Sequence, residues 1–317
     1  MKKSSRKFLL ETENGDLLVK GLLSPSILEP AVPLKIRKED AGSFQGIEIY
    51  EISPGLSKRP QVVADLISNT YFRLSHHLAD GSSATFGTSL VGSFSYKSDG
   101  KLLKLIPVVD TAELSLMGNN QVQVEVLGSY GGSARILSKR TYSKFQKLHE
   151  RIMHSSISFT AQEDIYLDPM RRKNDCFRLI TISSMFSSRE CFDANYIRFN
   201  SGEEAKSISI AGLEGRNRYV FDKPHICQEF ELIKTQESLG KRNSPGSPDS
   251  PSVSVKLLNS SLGEKELGVQ AYLAESISPD DDSLSVWLEW IQCPSIIKAG
   301  TRIEAEFEIK VSAPSAA

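Results

Sequence analysis

Residues 301–311 read TRIEAEFEIKV, and their strict alternation leaves the chain little freedom. Ile303, Ala305, Phe307, Ile309 and Val311 fall on one side of an extended backbone, and Glu304, Glu306, Glu308 and Lys310 on the other. Successive side chains of a strand point to opposite faces, so this stretch predicts a strand with one dry and one wet face. A strand of that kind is stable only as part of a sheet, which makes the rest of the chain a search for its partners.

Candidates are plentiful. IEIYEI (47–52), QVQVEVL (121–127), ARILS (134–138), CFRLITISSMF (176–186), VSVKLL (253–258), VQAYLAE (269–275) and SVWLEW (285–290) are rich in β-branched and aromatic residues. Turn sequences such as SDG, GNN, GSYGG and LEG separate them. Short strands punctuated in this way predict a mainly β protein, an antiparallel β-sandwich or jelly-roll-like core. Regularly spaced helices, which a parallel βαβ sheet requires, are missing from the pattern. One or two packed helices are expected, chiefly over TYSKFQKLHERIMH, where Tyr142, Phe145, Leu148 and Ile152 step by helical intervals and Thr141 can act as N-cap.

The domain expectation is an N-terminal arm at 1–46, a β core with a basic helix at 47–235, a flexible Ser-Pro linker or loop at 236–252, and C-terminal strands at 253–317 that complete the core. The stretch TQESLGKRNSPGSPDSP (235–251), which supplies nearly all of that linker, has too little apolar surface to order itself. The segment after it is small for an independent domain. Ser244, Ser247 and Ser250 each precede proline and are candidate phosphorylation sites, where each phosphate adds about −1.5 to −2 charges.

Charge is unevenly placed although the formal net charge is only −1. Residues 134–153 carry Arg135, Lys139, Arg140, Lys144, Lys147 and Arg151 against a single Glu150, whereas 257–317 hold ten acidic and four basic side chains. A polyanion would meet the middle of the chain. The four cysteines are far apart and form no CxxC pair, and the histidines lack metal-ligand spacing, so no metal site is expected. No P-loop, GxSxG elbow or dinucleotide fingerprint is present; GSYGGSAR reads as a hairpin with positive φ at Gly131 and Gly132. The apolar run near the start breaks at Glu11, and no window of about 18 apolar residues exists, so neither a secretory signal nor a spanning helix is expected.

In RIMHSSISFTAQEDIYLDPMRR an apolar strand runs through Ile165 into Leu167 and Asp168, followed by Pro169, Met170 and Arg171. This resembles the central signature of the plant-virus movement proteins of the 30K superfamily, with Gly212 or Gly215 as the later glycine. The resemblance implies a jelly-roll-like, non-enzymatic protein without cofactors. Such a protein binds single-stranded nucleic acid or a viral nucleocapsid, contacts host membrane or plasmodesmal proteins, forms a homo-oligomer, and works in the host cytoplasm, cell periphery and plasmodesmata. It also implies a functional role for Asp168. Arg135, Lys139, Arg140, Lys144, Lys147, Arg151, Arg171, Arg172 and Lys173 are then the expected phosphate contacts, which act without base reading. The alternative is a matrix- or capsid-like β-sandwich protein that acts by self-assembly.

Overall fold

The computed structural model describes 24 strands together with residues 91, 130–133, 162–164, 167, 221, 224–228, 261–262, 267, 295 and 298–301. In chain order the first are β1 (Arg6–Glu11), β2 (Leu17–Leu23), β3 (Leu34–Ile36), β4 (Gly46–Glu51), β5 (Gln61–Leu66), β6 (Tyr71–His77) and β7 (Ser83–Leu90). Then come β8 (Phe94–Ser98), β9 (Lys101–Leu105), β10 (Val108–Met117), β11 (Gln121–Ser129), β12 (Ala134–Lys147), β13 (Glu150–Ala161) and β14 (Ile165–Tyr166). β15 (Phe177–Phe186), β16 (Asn195–Ser201), β17 (Glu204–Ser209), β18 (Arg218–Tyr219) and β19 (Glu229–Lys234) follow. The chain ends with β20 (Ser252–Ser260), β21 (Gly268–Glu275), β22 (Leu284–Gln292), β23 (Ile296–Ile297) and β24 (Arg302–Ser312).

Two ten-stranded antiparallel sheets hold most of these strands. The first runs β1-β2-β4-β5-β6-β7-β15-β22-β21-β18 and the second β17-β16-β19-β20-β24-β13-β12-β11-β10-β3. The alternating segment that opened the sequence analysis is β24, paired with β13 on one side and β20 on the other. Ile303, Ala305, Phe307, Ile309 and Val311 are all buried.

Aromatic contacts show where the sheets meet. Phe177 of the first sheet lies 4.9 Å from Phe159 of the second, and Trp290 of the first lies 5.2 Å from Phe230 and 5.9 Å from Phe307. All five rings are fully buried, and burying a side chain of this size stabilises by about 1.5–3 kcal/mol. A second link is polar. Tyr130, at the end of β11, donates its hydroxyl hydrogen to the Val91 carbonyl at the end of β7, and the Val91 N–H donates to the Leu179 carbonyl at 3.1 Å. These bonds hold Val91 at φ 39°, a left-handed conformation that costs a β-branched residue free energy. The Tyr130–Ala134 hairpin has Gly131 and Gly132 at φ 59° and 96°, the conformation its sequence predicts.

Among the described residues no helix occurs, and the expected basic helix over 141–154 is corrected to the β12–β13 hairpin. Tyr142 is buried and Thr141 and Ser143 are partly exposed, which is the period of a strand. Pairing to β11 and β13 satisfies the backbone along β12 and overrides the helical spacing of four apolar residues.

Candidate functional site

Register gathers on one face residues that are remote in sequence. Glu125 of β11 pairs with Lys139 of β12, Lys139 with Ser156 of β13, Ser156 with Glu306 of β24, and Glu306 with Asn259 of β20. Cross-strand partners share a face, so these five side chains form a row across the outer surface of the second sheet, at steps of about 4.8 Å. The neighbouring row holds Leu137, Ser158 and Glu304, and the next holds Arg135, Thr160 and Arg302. A groove of about 390 Å³ lies on these rows, with Asn259, Ser260 and Ser261 among its lining residues.

Part of the groove is fixed in place. Arg302 pairs with Glu304 at 2.5 Å and donates to the Ser158 hydroxyl at 3.2 Å. The Glu304 N–H donates to Ser261 Oγ at 2.9 Å, and the Ser261 N–H returns a bond to the Glu304 carbonyl at 2.8 Å. Glu125, Lys139 and Glu306 form no ion pair with any described residue. The groove therefore has a braced wall and three uncommitted ionic groups beside it. Three carboxylates against Lys139 and Arg302 give it no cationic excess.

Of the nine expected phosphate-binding residues, Arg135, Lys139 and Arg140 have described side chains, and these three do not share one face. Arg135 and Lys139 are exposed on this outer face, interleaved with the carboxylates. Arg140 points the other way and is buried, and desolvation pulls its guanidinium down to about 9. Alternation along β12 imposes the difference: adjacent residues cannot both face solvent. Lys144, Lys147 and Arg151 lie in β12 and β13 with side chains outside the described residues, and Arg171, Arg172, Lys173, Asp168, Ser244, Ser247 and Ser250 lie outside them altogether. Leu167 is buried, its N–H bonded to the Ser295 carbonyl at 3.2 Å, beside the small β14–β23 pair.

Two other features suggest chemistry less than their residue types do. Burial pushes the Cys227 thiol up to about 12, so it stays protonated and acts as a small apolar wall. His225 stacks on Phe199 at 4.5 Å, with its ring held below the usual histidine range by burial and by nearby Lys206. No group of three or more potential metal ligands occurs among the described residues. Nor is any helix among them long and apolar enough to cross a membrane.

No protein-family model matches this chain, and no curated protein matches its sequence. Solved structures do align with it. A galactose mutarotase-like protein from Lactobacillus casei ATCC 334 is 10% identical, with a TM-score of 0.41 over 96% of this chain and 100% of its own. The galactose 1-epimerase of Lactobacillus acidophilus NCFM is 9% identical, with a TM-score of 0.36 over 99% of this chain and 100% of its own. The GalM/aldose epimerase homologue from C. elegans is 8% identical, with a TM-score of 0.35 over 98% of this chain and 100% of its own.

These findings correct the movement-protein expectation, together with the self-assembling structural protein offered beside it and the non-enzymatic assignment. The aligned structures are sugar-epimerase proteins and homologues, not viral transport factors. At scores and identities this low, neither a reaction nor a residue role passes from them to this chain.

Proposed function

We propose that this protein is a β-sandwich whose outer groove on β11, β12, β13, β24 and β20 binds a neutral polyhydroxylated ligand, a saccharide in the simplest case. The observation that carries the reading is the cross-strand row Glu125–Lys139–Ser156–Glu306–Asn259. Carboxylates accept from hydroxyl groups, an ammonium donates to them, and serine and asparagine do both. A polyol offers donors and acceptors in turn and carries no charge, so it matches such a row without favouring either sign. Leu137, exposed in the groove, offers an apolar surface to the C–H face of a sugar ring. The volume falls within the range of small-molecule sites, about 300–1,000 Å³.

Titration calorimetry with a panel of glucose, galactose, mannose and their oligosaccharides tests the reading. At least one member should bind, and Glu306→Gln and Lys139→Ala should each weaken it about tenfold or more, as expected for loss of a hydrogen bond to a charged group. A panel that fails to bind, or binding indifferent to both substitutions, overturns it.

A further inference from the structure

Both ends of the cross-strand row line the same groove. Glu125 stands on β11 and Asn259 on β20, with Lys139, Ser156 and Glu306 between them. Steps of about 4.8 Å from strand to strand make the row about 19 Å long. A single sugar ring covers little more than one of those steps. The 390 Å³ of the groove, drawn out over that length, forms a narrow channel with no room for a branch.

A break in the regular pairing supplies the far end of the row. Leu257 pairs with Phe307, so an unbroken register would set Leu258 opposite Glu306. The register shifts at that point, leaves Leu258 with no partner on β24, and sets Asn259 opposite Glu306 instead. Bulges re-aim side chains and gather beside functional sites. This one exchanges an apolar side chain for an amide that both donates and accepts, and so lengthens the polar row by one strand. The Ser261 that follows is locked to the Glu304 backbone in both directions, which fixes this end in place.

Sheet twist decides what form of ligand can use the whole row. Adjacent strands rotate by about 20–25°, so the row turns as it crosses the sheet. A rigid fused-ring polyol matches a few members and then parts from the surface. A chain of rings joined through single oxygen atoms turns at each joint. When such a chain is extended, each ring advances by roughly one strand step, and successive rings meet successive strands. Resting on the saccharide reading above, we infer that the ligand is an unbranched, extended oligosaccharide of about four sugar units that lies across the strands from Glu125 to Asn259.

The test is a size series titrated calorimetrically on the full chain, with β-1,4-linked glucose, mannose and galactose oligomers from one unit upward. In the series that binds, affinity should rise about fivefold with each unit up to about the fourth, one net hydrogen bond per step, and then level off. Glu125→Ala and Asn259→Ala truncate opposite ends of the row. Each should make the series level off about one unit earlier, and the two together about two units earlier, with melting temperatures close to that of the unsubstituted protein. Affinity that is complete at a single unit overturns the inference and leaves the saccharide reading standing. So does affinity that keeps rising well past the fourth unit, or a levelling point that neither end variant moves. Failure of every oligomer and every single sugar to bind shows instead that the saccharide reading itself is wrong.

Discussion

Lys139 and Arg140 are neighbours on β12, and Glu306 and Phe307 are neighbours on β24, yet one member of each couple faces solvent and the other is buried. The inner and outer faces of this sheet are therefore written in one interleaved stretch of sequence under different rules. Inside, size and apolarity decide, and a wrong atom costs stability. Outside, packing imposes almost nothing, so the composition of the face is available for recognition. A row of carboxylates, a lysine, a serine and an asparagine is not required by the fold, which is why it carries the functional reading.

The contrast can be broken most directly on β24. Phe307→Ala should cost about 3–5 kcal/mol in urea unfolding, the usual range for deleting a buried ring. Glu306→Ala beside it should stay within about 0.5 kcal/mol. Similar losses for the two would show that the faces are not distinct. The β12 couple sharpens the point with charge of one sign on both sides. Arg140→Ala removes a long buried side chain and should cost about 2 kcal/mol or more, while Lys139→Ala should change stability by less than about 0.5 kcal/mol. Equal thermal shifts for these variants would argue against the burial difference.

The smallest effect concerns acidity. The His225 ring is held below its ordinary range chiefly by burial and further by Lys206. As pH falls through about 6.5 the unfolded chain takes up a proton before the folded one does, so stability present above that pH is lost on acidification. His225→Phe should flatten the stability profile between about pH 5 and 7. An unchanged slope would assign the acid sensitivity to other groups.

How far the sequence foretold all this depends on which residues sit inside. β24 was legible because all five of its inward residues are apolar. β11 was legible for the same reason, with Val122, Val124 and Val126 buried. β12 was legible only at its start, where ARILS reads as a strand; beyond it the buried Ser138 and Arg140 erase the alternation, and Tyr142, Phe145, Leu148 and Ile152 suggest a helix instead. The groove lay beyond sequence reasoning for a geometric reason. Glu125, Lys139, Ser156, Glu306 and Asn259 come from five strands, and a slip of one residue in any pairing would send its member to the other face. Only the wet half of TRIEAEFEIKV hinted at it, through a line of glutamates that packing alone does not demand.

The position of β24 reaches beyond binding. It separates β13 from β20, and synthesis supplies it only after every other strand of that sheet. Until then the layer exists as two halves, each with a bare edge ready to pair with a stranger. Synthesis of this protein thus carries a built-in interval of vulnerability, and a chaperone that shields those two edges would matter most in the moments before the last strand arrives.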